Sequence, residues 1–208
     1  MTQPTDRVSL ADAGSSPRRM SYEEFLASDY CRAEWVDGEV VEMSPASSLH
    51  QDLVDFLAAL LRLYTESRGG GFVRSAPFQM KVGARGREPD VVYVAPENLE
   101  RVKTNHIAGP ADLAVEIVSE DSIRRDREVK LREYREAGVR EFWLVDPLVR
   151  EARFLALTEG DDYEAIAPDA DGNVRSRVLE GLWLKVDWLW QEPLPPLLSV
   201  LRAWGLIP

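Results

Sequence analysis

Residues 112–147 constrain the fold more than any other part of the chain. They hold an apolar run at 112–118, a segment of helical spacing from Ser122 to Ala137, a stop at Gly138 and a second apolar run at 141–145 that ends on Asp146-Pro147. Two strands joined by a helix predict a parallel crossover, because antiparallel neighbours need only a short turn. The chain is therefore read as α/β. The first run carries one anomaly, Glu116. A carboxylate inside an apolar strand is costly to bury alone, so it needs a cation, a proton or hydrogen-bond donors. A metal ion would satisfy it, and so would a buried arginine.

The flanking sequence supplies further elements. Ser21 and Glu24 have the spacing of a capping box and predict a short helix. Residues 34–36 and 39–43 are extended runs around Asp37-Gly38, a dipeptide suited to a type I′ hairpin. After Ser44-Pro45, Ser48 and Gln51 suggest a second capping box. Leu49, Leu53, Phe56, Leu57, Leu60, Leu61 and Tyr64 then repeat at helical spacing as far as Gly69. Residues 71–82 and 90–94 are β-rich and are expected to pair antiparallel across the turn at 83–86. Beyond Arg150, short alternating segments and Trp183, Trp188 and Trp190 predict a β-rich extension at 151–208. Residues 1–19 lack an apolar pattern and are expected to be a disordered tail, leaving 20–208 as a single domain.

Composition narrows the chemistry. One cysteine and two histidines leave too few soft ligands for a structural zinc site, so any metal must be held mainly by carboxylates. No apolar run is long enough for a membrane span, no secretory signal is evident, and a cytoplasmic location is expected. A net charge of -11 argues against tight non-specific nucleic-acid binding, though a local basic patch could still meet phosphates. The sequence has no nucleophile-elbow serine motif, Walker loop, dinucleotide-binding glycine motif or His-Glu-x-x-His.

What remains is carboxylates and a lysine, set in an order that is specific as a whole. Residues 22–25, 34–39, His50-Gln51, Pro89-Asp90, 115–119, Asp126, Lys130, Tyr134 and 138–147 resemble the bacterial restriction endonuclease family, formerly a domain of unknown function, of the PD-(D/E)XK nuclease superfamily. The resemblance implies a restriction-endonuclease-like mixed β-sheet flanked by helices. It also implies Asp90 and Glu116 as metal-binding acids for Mg2+ or Mn2+, hydrolysis of phosphodiester bonds in DNA held weakly and salt-sensitively, and a homodimer. The superfamily lysine belongs two residues after the second acid, where this chain has Val118. Lys130 on the following helix fits the family's displaced lysine, and Glu34 and His50 are candidate auxiliary residues.

Each candidate also has a purely structural reading. Asp90 could cap a strand entry. Glu116 could pair with a buried arginine, and Lys130 could be an i, i+4 partner of Asp126. His50 could simply bond a helix terminus. Arg124, Arg125 and Arg127 could meet a DNA backbone, but the interleaved Asp126 and Glu128 favour a solvated face. A catalytically inert scaffold that binds nucleic acid or a protein partner is the alternative function.

Overall fold

The computed structural model describes residues 19–208. The tail expected over 1–19 thus lies outside the described residues except for Arg19, which bridges Glu39 and pairs with its carboxylate at 2.9 Å. Ser21 opens α1 (Tyr22–Leu26) with both arms of the predicted capping box. The hairpin follows as β1 (Ala33–Val36) and β2 (Glu39–Glu42). Both turn residues take positive φ, 51° at Asp37 and 92° at Gly38, as a type I′ turn requires.

The long helix α2 (Ser48–Ser67) is capped by Ser47 rather than Ser48, since the Ser47 hydroxyl accepts from the His50 amide at 3.2 Å. Gln51 is then one place too far to return to the cap, and its side chain donates to Asp55 at 3.1 Å.

The β-rich stretch ahead of Asp90 also differs from expectation. It forms β3 (Phe72–Ser75), β4 (Gln79–Val82), β5 (Arg85–Arg87) and β6 (Val91–Val94). Pro77, which has no amide hydrogen to continue a ladder, separates β3 from β4. β3 pairs antiparallel with β6, whereas β4 folds back on β5, so Arg85 and Gly86 are strand residues and not turn residues.

β7 (His106–Ile107) and β8 (Leu113–Ile117) come next. A π-helical stretch, Arg125–Lys130, then runs into α3 (Leu131–Ala137), which Gly138 closes at φ 86°. Ser122 does not cap this helix, because its hydroxyl donates back to the Ser119 carbonyl at 3.2 Å. β9 (Glu141–Asp146) pairs parallel with β8, which is the predicted crossover. β10 (Glu151–Leu157) and β11 (Tyr163–Ala165) extend the same sheet, β12 (Asn173–Arg175) and β13 (Trp183–Lys185) form a ribbon, and α4 (Leu197–Ala203) follows. The larger sheets have the orders β2-β1-β5-β4-β7 and β11-β10-β9-β8-β6-β3. No helix among the described residues is long and apolar enough to cross a membrane.

Period-two alternation gives the six-stranded sheet two different faces. Val91, Val115, Ile117 and Trp143 pack with α2 and with the C-terminal residues Leu182, Val200 and Leu201. Val92, Ala114, Val118 and Phe142 pack with Tyr134 of α3 and with Met80 and Val82 of the five-stranded sheet. Glu116, between Val115 and Ile117, belongs to the second face.

One carboxylate fastens the C-terminal part to the first face. Glu141 is fully buried and accepts from Trp143 Nε1 at 2.6 Å, Ser176 Oγ at 2.9 Å, and the amides of Arg177 and Val178 at 2.8 and 3.0 Å. Glu141→Ala strands these four donors, so urea unfolding should show a loss on the order of 3–5 kcal/mol. Removing the exposed Glu151 in the same sheet should change stability by no more than about 0.5 kcal/mol.

Candidate active site

β6 and β8 are antiparallel with Val91 opposite Val115, so one step further Asp90 stands opposite Glu116. Both are placed on the face that meets α3. The Asp90 carboxylate accepts from the Ile117 amide at 2.6 Å, and its other oxygen lies 3.3 Å from His50 Nε2 at the start of α2. Asp90 therefore ties two adjacent strands and a helix end together, which goes beyond capping its own strand.

Glu116 is paired, but with a lysine and not with an arginine. Lys130 Nζ lies 2.8 Å from Glu116 Oε2, 3.0 Å from Glu34 Oε1 and 3.2 Å from Asp126 Oδ1. The i, i+4 pair with Asp126 thus exists as one of three. Tyr134 Oη donates to the other Glu116 oxygen at 2.5 Å. Helical spacing from Ser122 would set Ile123, Lys130 and Tyr134 on one inward stripe; Lys130 and Tyr134 are buried on it, while Ile123 is 37% exposed. The π-helical stretch adds a residue to its turns and shifts the stripe by about one position.

A second layer of charge backs the first. Arg87 donates to Glu34 at 2.7 Å and grips Glu133 of α3 with two bonds at 2.7 and 2.8 Å. Glu88 accepts from Gln79 at 2.9 Å through one oxygen, while its other oxygen is buried without a hydrogen-bond partner. Asp90, Glu116, Lys130, His50, Glu88 and Asp126 all line one cavity of about 50 Å³. Glu34 does not line it, and reaches the cluster through Lys130, Arg87, Arg125 and the Glu88 amide.

These contacts set the ionisation. Burial alone would push Lys130 down, but Asp126, Glu116 and Glu34 hold its ammonium well above the usual lysine range. Burial pushes the Glu116 carboxyl well above the carboxylate range, with Lys130 opposing and Asp126, Asp90 and Glu34 adding to the rise. Burial likewise lifts Glu88 to about 7, against the bond from Gln79. Burial would also raise Glu34, yet Lys130, Arg87 and Arg125 outweigh it and hold that carboxyl at about 2.

All five residues singled out in the sequence meet in this region. The sequence pattern does not single out Arg87, Glu88 or Glu133: a turn over 83–86 hides β5, which delivers Arg87, and Glu133 reads as one more charge on a helix. The one signal available was the charged pair Arg87-Glu88 standing directly before Pro89-Asp90. Arg125, assigned to a solvated face, instead lines the cavity. Its neighbour Arg124 faces solvent and pairs with Glu128 at 3.7 Å, and Arg127 bonds Asp146 at 2.8 Å.

A mixed sheet flanked by helices, with two acids on neighbouring strands and a lysine on the crossover helix, is a nuclease-like fold. The crystal structure of a "putative nuclease belonging to DUF820" from Anabaena variabilis superposes with a TM-score of 0.68, covering 82% of this chain and 97% of that one at 16% identity. No curated protein matches the chain. The profile of the family described as "Uma2: Putative restriction endonuclease" matches residues 21–187. The chain belongs to that family.

The Glu34 environment carries a pH signature. Its folded value of about 2 lies below the ordinary 4.5, so the ionised carboxylate stabilises the fold above pH 4.5, and that contribution drains away as pH falls toward 2. The contribution is on the order of 3 kcal/mol. Glu34→Gln should be less stable than wild type at pH 7 and should lose less stability between pH 4.5 and 2, as read by urea unfolding at each pH. Parallel losses in the two proteins would mean that Glu34 is not held ionised.

Proposed function

We propose that the chain is a metal-dependent endonuclease that hydrolyses phosphodiester bonds of DNA, with Mg2+ or Mn2+ anchored by Asp90 and Glu116. The observation that supports this best is the meeting of these two acids from adjacent strands in one cavity with the Lys130 ammonium 2.8 Å from Glu116. The donor set fits a hard cation, since every carboxylate offers oxygen and no cysteine lines the cavity. Among the described residues no three Asp, Glu, His or Cys side chains form a ready cage. Magnesium does not need one, because it keeps several waters and takes only a few protein oxygens. Each carboxylate oxygen has two lone pairs, so Glu116 can keep its bonds to Lys130 and Tyr134 and still offer a lone pair to a cation.

The ion, when bound, would polarise a phosphoryl oxygen and acidify a water. The side chains do the rest. Asp90 is held by the Ile117 amide and Glu116 by Lys130 and Tyr134, so both acids are fixed before substrate arrives. Lys130 keeps a permanent positive charge beside the place where a phosphate would sit, stabilising charge that develops there. His50 Nε2 lies 3.3 Å from the Asp90 oxygen that the Ile117 amide does not bond, so the imidazole steadies that side of the carboxylate.

A second reading has its own support. Lys130 and Tyr134 already occupy both Glu116 oxygens, as they would in a self-compensated scaffold that binds a partner without cutting it.

Plasmid cleavage separates the two. Wild type should nick or linearise supercoiled plasmid with Mg2+ or Mn2+ and not with EDTA. Asp90→Asn and Glu116→Gln should each lower the rate at least about 100-fold, because even partners one step removed from a metal cost 10–100-fold. Without metal, Asp90→Asn should hold its melting temperature, since losing its charge relieves repulsion with Glu116, whereas Glu116→Gln takes one of three carboxylates from Lys130 and should melt lower. Cleavage that persists in both variants, or wild type inert with either metal, would favour the scaffold.

A further inference from the structure

We propose that Arg32 and Arg125 form a clamp for the DNA phosphate backbone at the mouth of the site, and that the strand leaves the site along the adjoining groove. The inference rests on the nuclease reading and deepens it. Both arginines line the cavity that holds Asp90, Glu116 and Lys130. Arg32 also lines a second cavity of about 290 Å³, which shares Ser44, His50 and Ser119 with the first and continues outward to Leu148. The two together make one channel from the acids to the surface, with Arg32 at the junction.

Three observations single out these side chains. Arg32 is exposed and makes no ion pair among the described residues, although acidic residues exceed basic ones by 11 in this chain. Its backbone lies at φ 57°, in the left-handed region that a residue with a Cβ seldom adopts. Such a backbone persists where the surrounding structure imposes it, and it is a recurrent feature of ligand sites. Arg125 is three-quarters buried, yet its Nε has no hydrogen-bond partner, and the nearest carboxylates, Glu34 and Asp126, stand 3.9 Å away. A guanidinium carries several donors in a fixed fork that matches phosphate oxygens, so two such side chains lining one cavity fit an anion. The two linings carry more acidic side chains than basic ones, so Arg32 and Arg125 supply locally the positive charge that a phosphate would meet beside the acids.

The test reads binding apart from cleavage. Fluorescence anisotropy with a labelled 20-nucleotide single strand, and with the same sequence as duplex, is measured in EDTA across a salt series. The proteins are wild type, Arg32→Gly, Arg125→Gln and, as a control, Arg153→Gln on β10. Arg32→Gly should weaken binding several-fold and lower the slope of log affinity against log salt by about one, the value for one lost phosphate contact. Glycine accepts the left-handed backbone, so its melting temperature should hold or rise. Arg125→Gln should show the same change in slope, and Arg153→Gln should bind as wild type does. In the cleavage assay both losses should appear in KM more than in kcat. If wild type binds the oligonucleotide and Arg32→Gly binds it equally tightly with an unchanged slope, the clamp is wrong while the nuclease reading stands. If wild type cleaves no DNA with either metal, the nuclease reading falls and the anisotropy still decides the clamp. If wild type binds neither oligonucleotide, the clamp falls as well.

Discussion

The ammonium of Lys130, sealed among Glu34, Glu116 and Asp126, is the contact on which the rest of the architecture depends. Each carboxylate comes from a different element: the N-terminal hairpin, the second large sheet and the crossover helix. A buried charge without partners costs several kcal/mol, so all three elements must be in place for the lysine to be tolerated. Arg87 repeats the arrangement one step behind, joining Glu34 to Glu133 and so the five-stranded sheet to α3. The two sheets thus meet at this point through a lattice of charge.

Stability alone does not explain that choice. Well-packed apolar side chains in place of a buried ion network are often neutral or stabilising, so the network is weak evidence for strength and better evidence for specification. What it specifies is geometry. Glu116 and Asp90 cannot rotate freely, because each oxygen is held by a named donor or lies against His50. The opposite face of the same sheet is apolar and packs against α2 and the C-terminal residues, with Glu141 as its main polar tie. One face is apolar around that tie while the other sets the charged cluster beside a second apolar core, and the alternation of β8 assigns Glu116 to that second face.

Much of this was legible in the sequence wherever one residue type dominated a local rule. Asp37-Gly38 set the hairpin, Gly138 set the helix stop, and two apolar runs around a helix set the parallel crossover. Glu116 stood out because a lone carboxylate in an apolar strand demands a partner. The partner's identity was not legible from cost alone, since lysine, arginine and metal all meet the same demand. Long-range pairing was the harder part. β4 and β5 form a local hairpin about Gly83-Ala84, but nothing local shows that β3 pairs with β6 in the other sheet or that Arg87 emerges beside Glu34, because those partners lie far apart in the chain. Arg125 was misread for a related reason. A charged helix start resembles a solvated face until a π-helical stretch changes which residues turn inward.

The central claim is that Asp90 and Glu116 anchor a divalent cation. Anomalous diffraction from crystals of the wild-type protein grown with Mn2+ tests it most directly. The account predicts a manganese peak within coordination distance, roughly 2.0–2.3 Å, of an oxygen from each of the two carboxylates, with Lys130 still beside Glu116. A structure at saturating Mn2+ that shows no peak there, or a peak that contacts neither carboxylate, would contradict it.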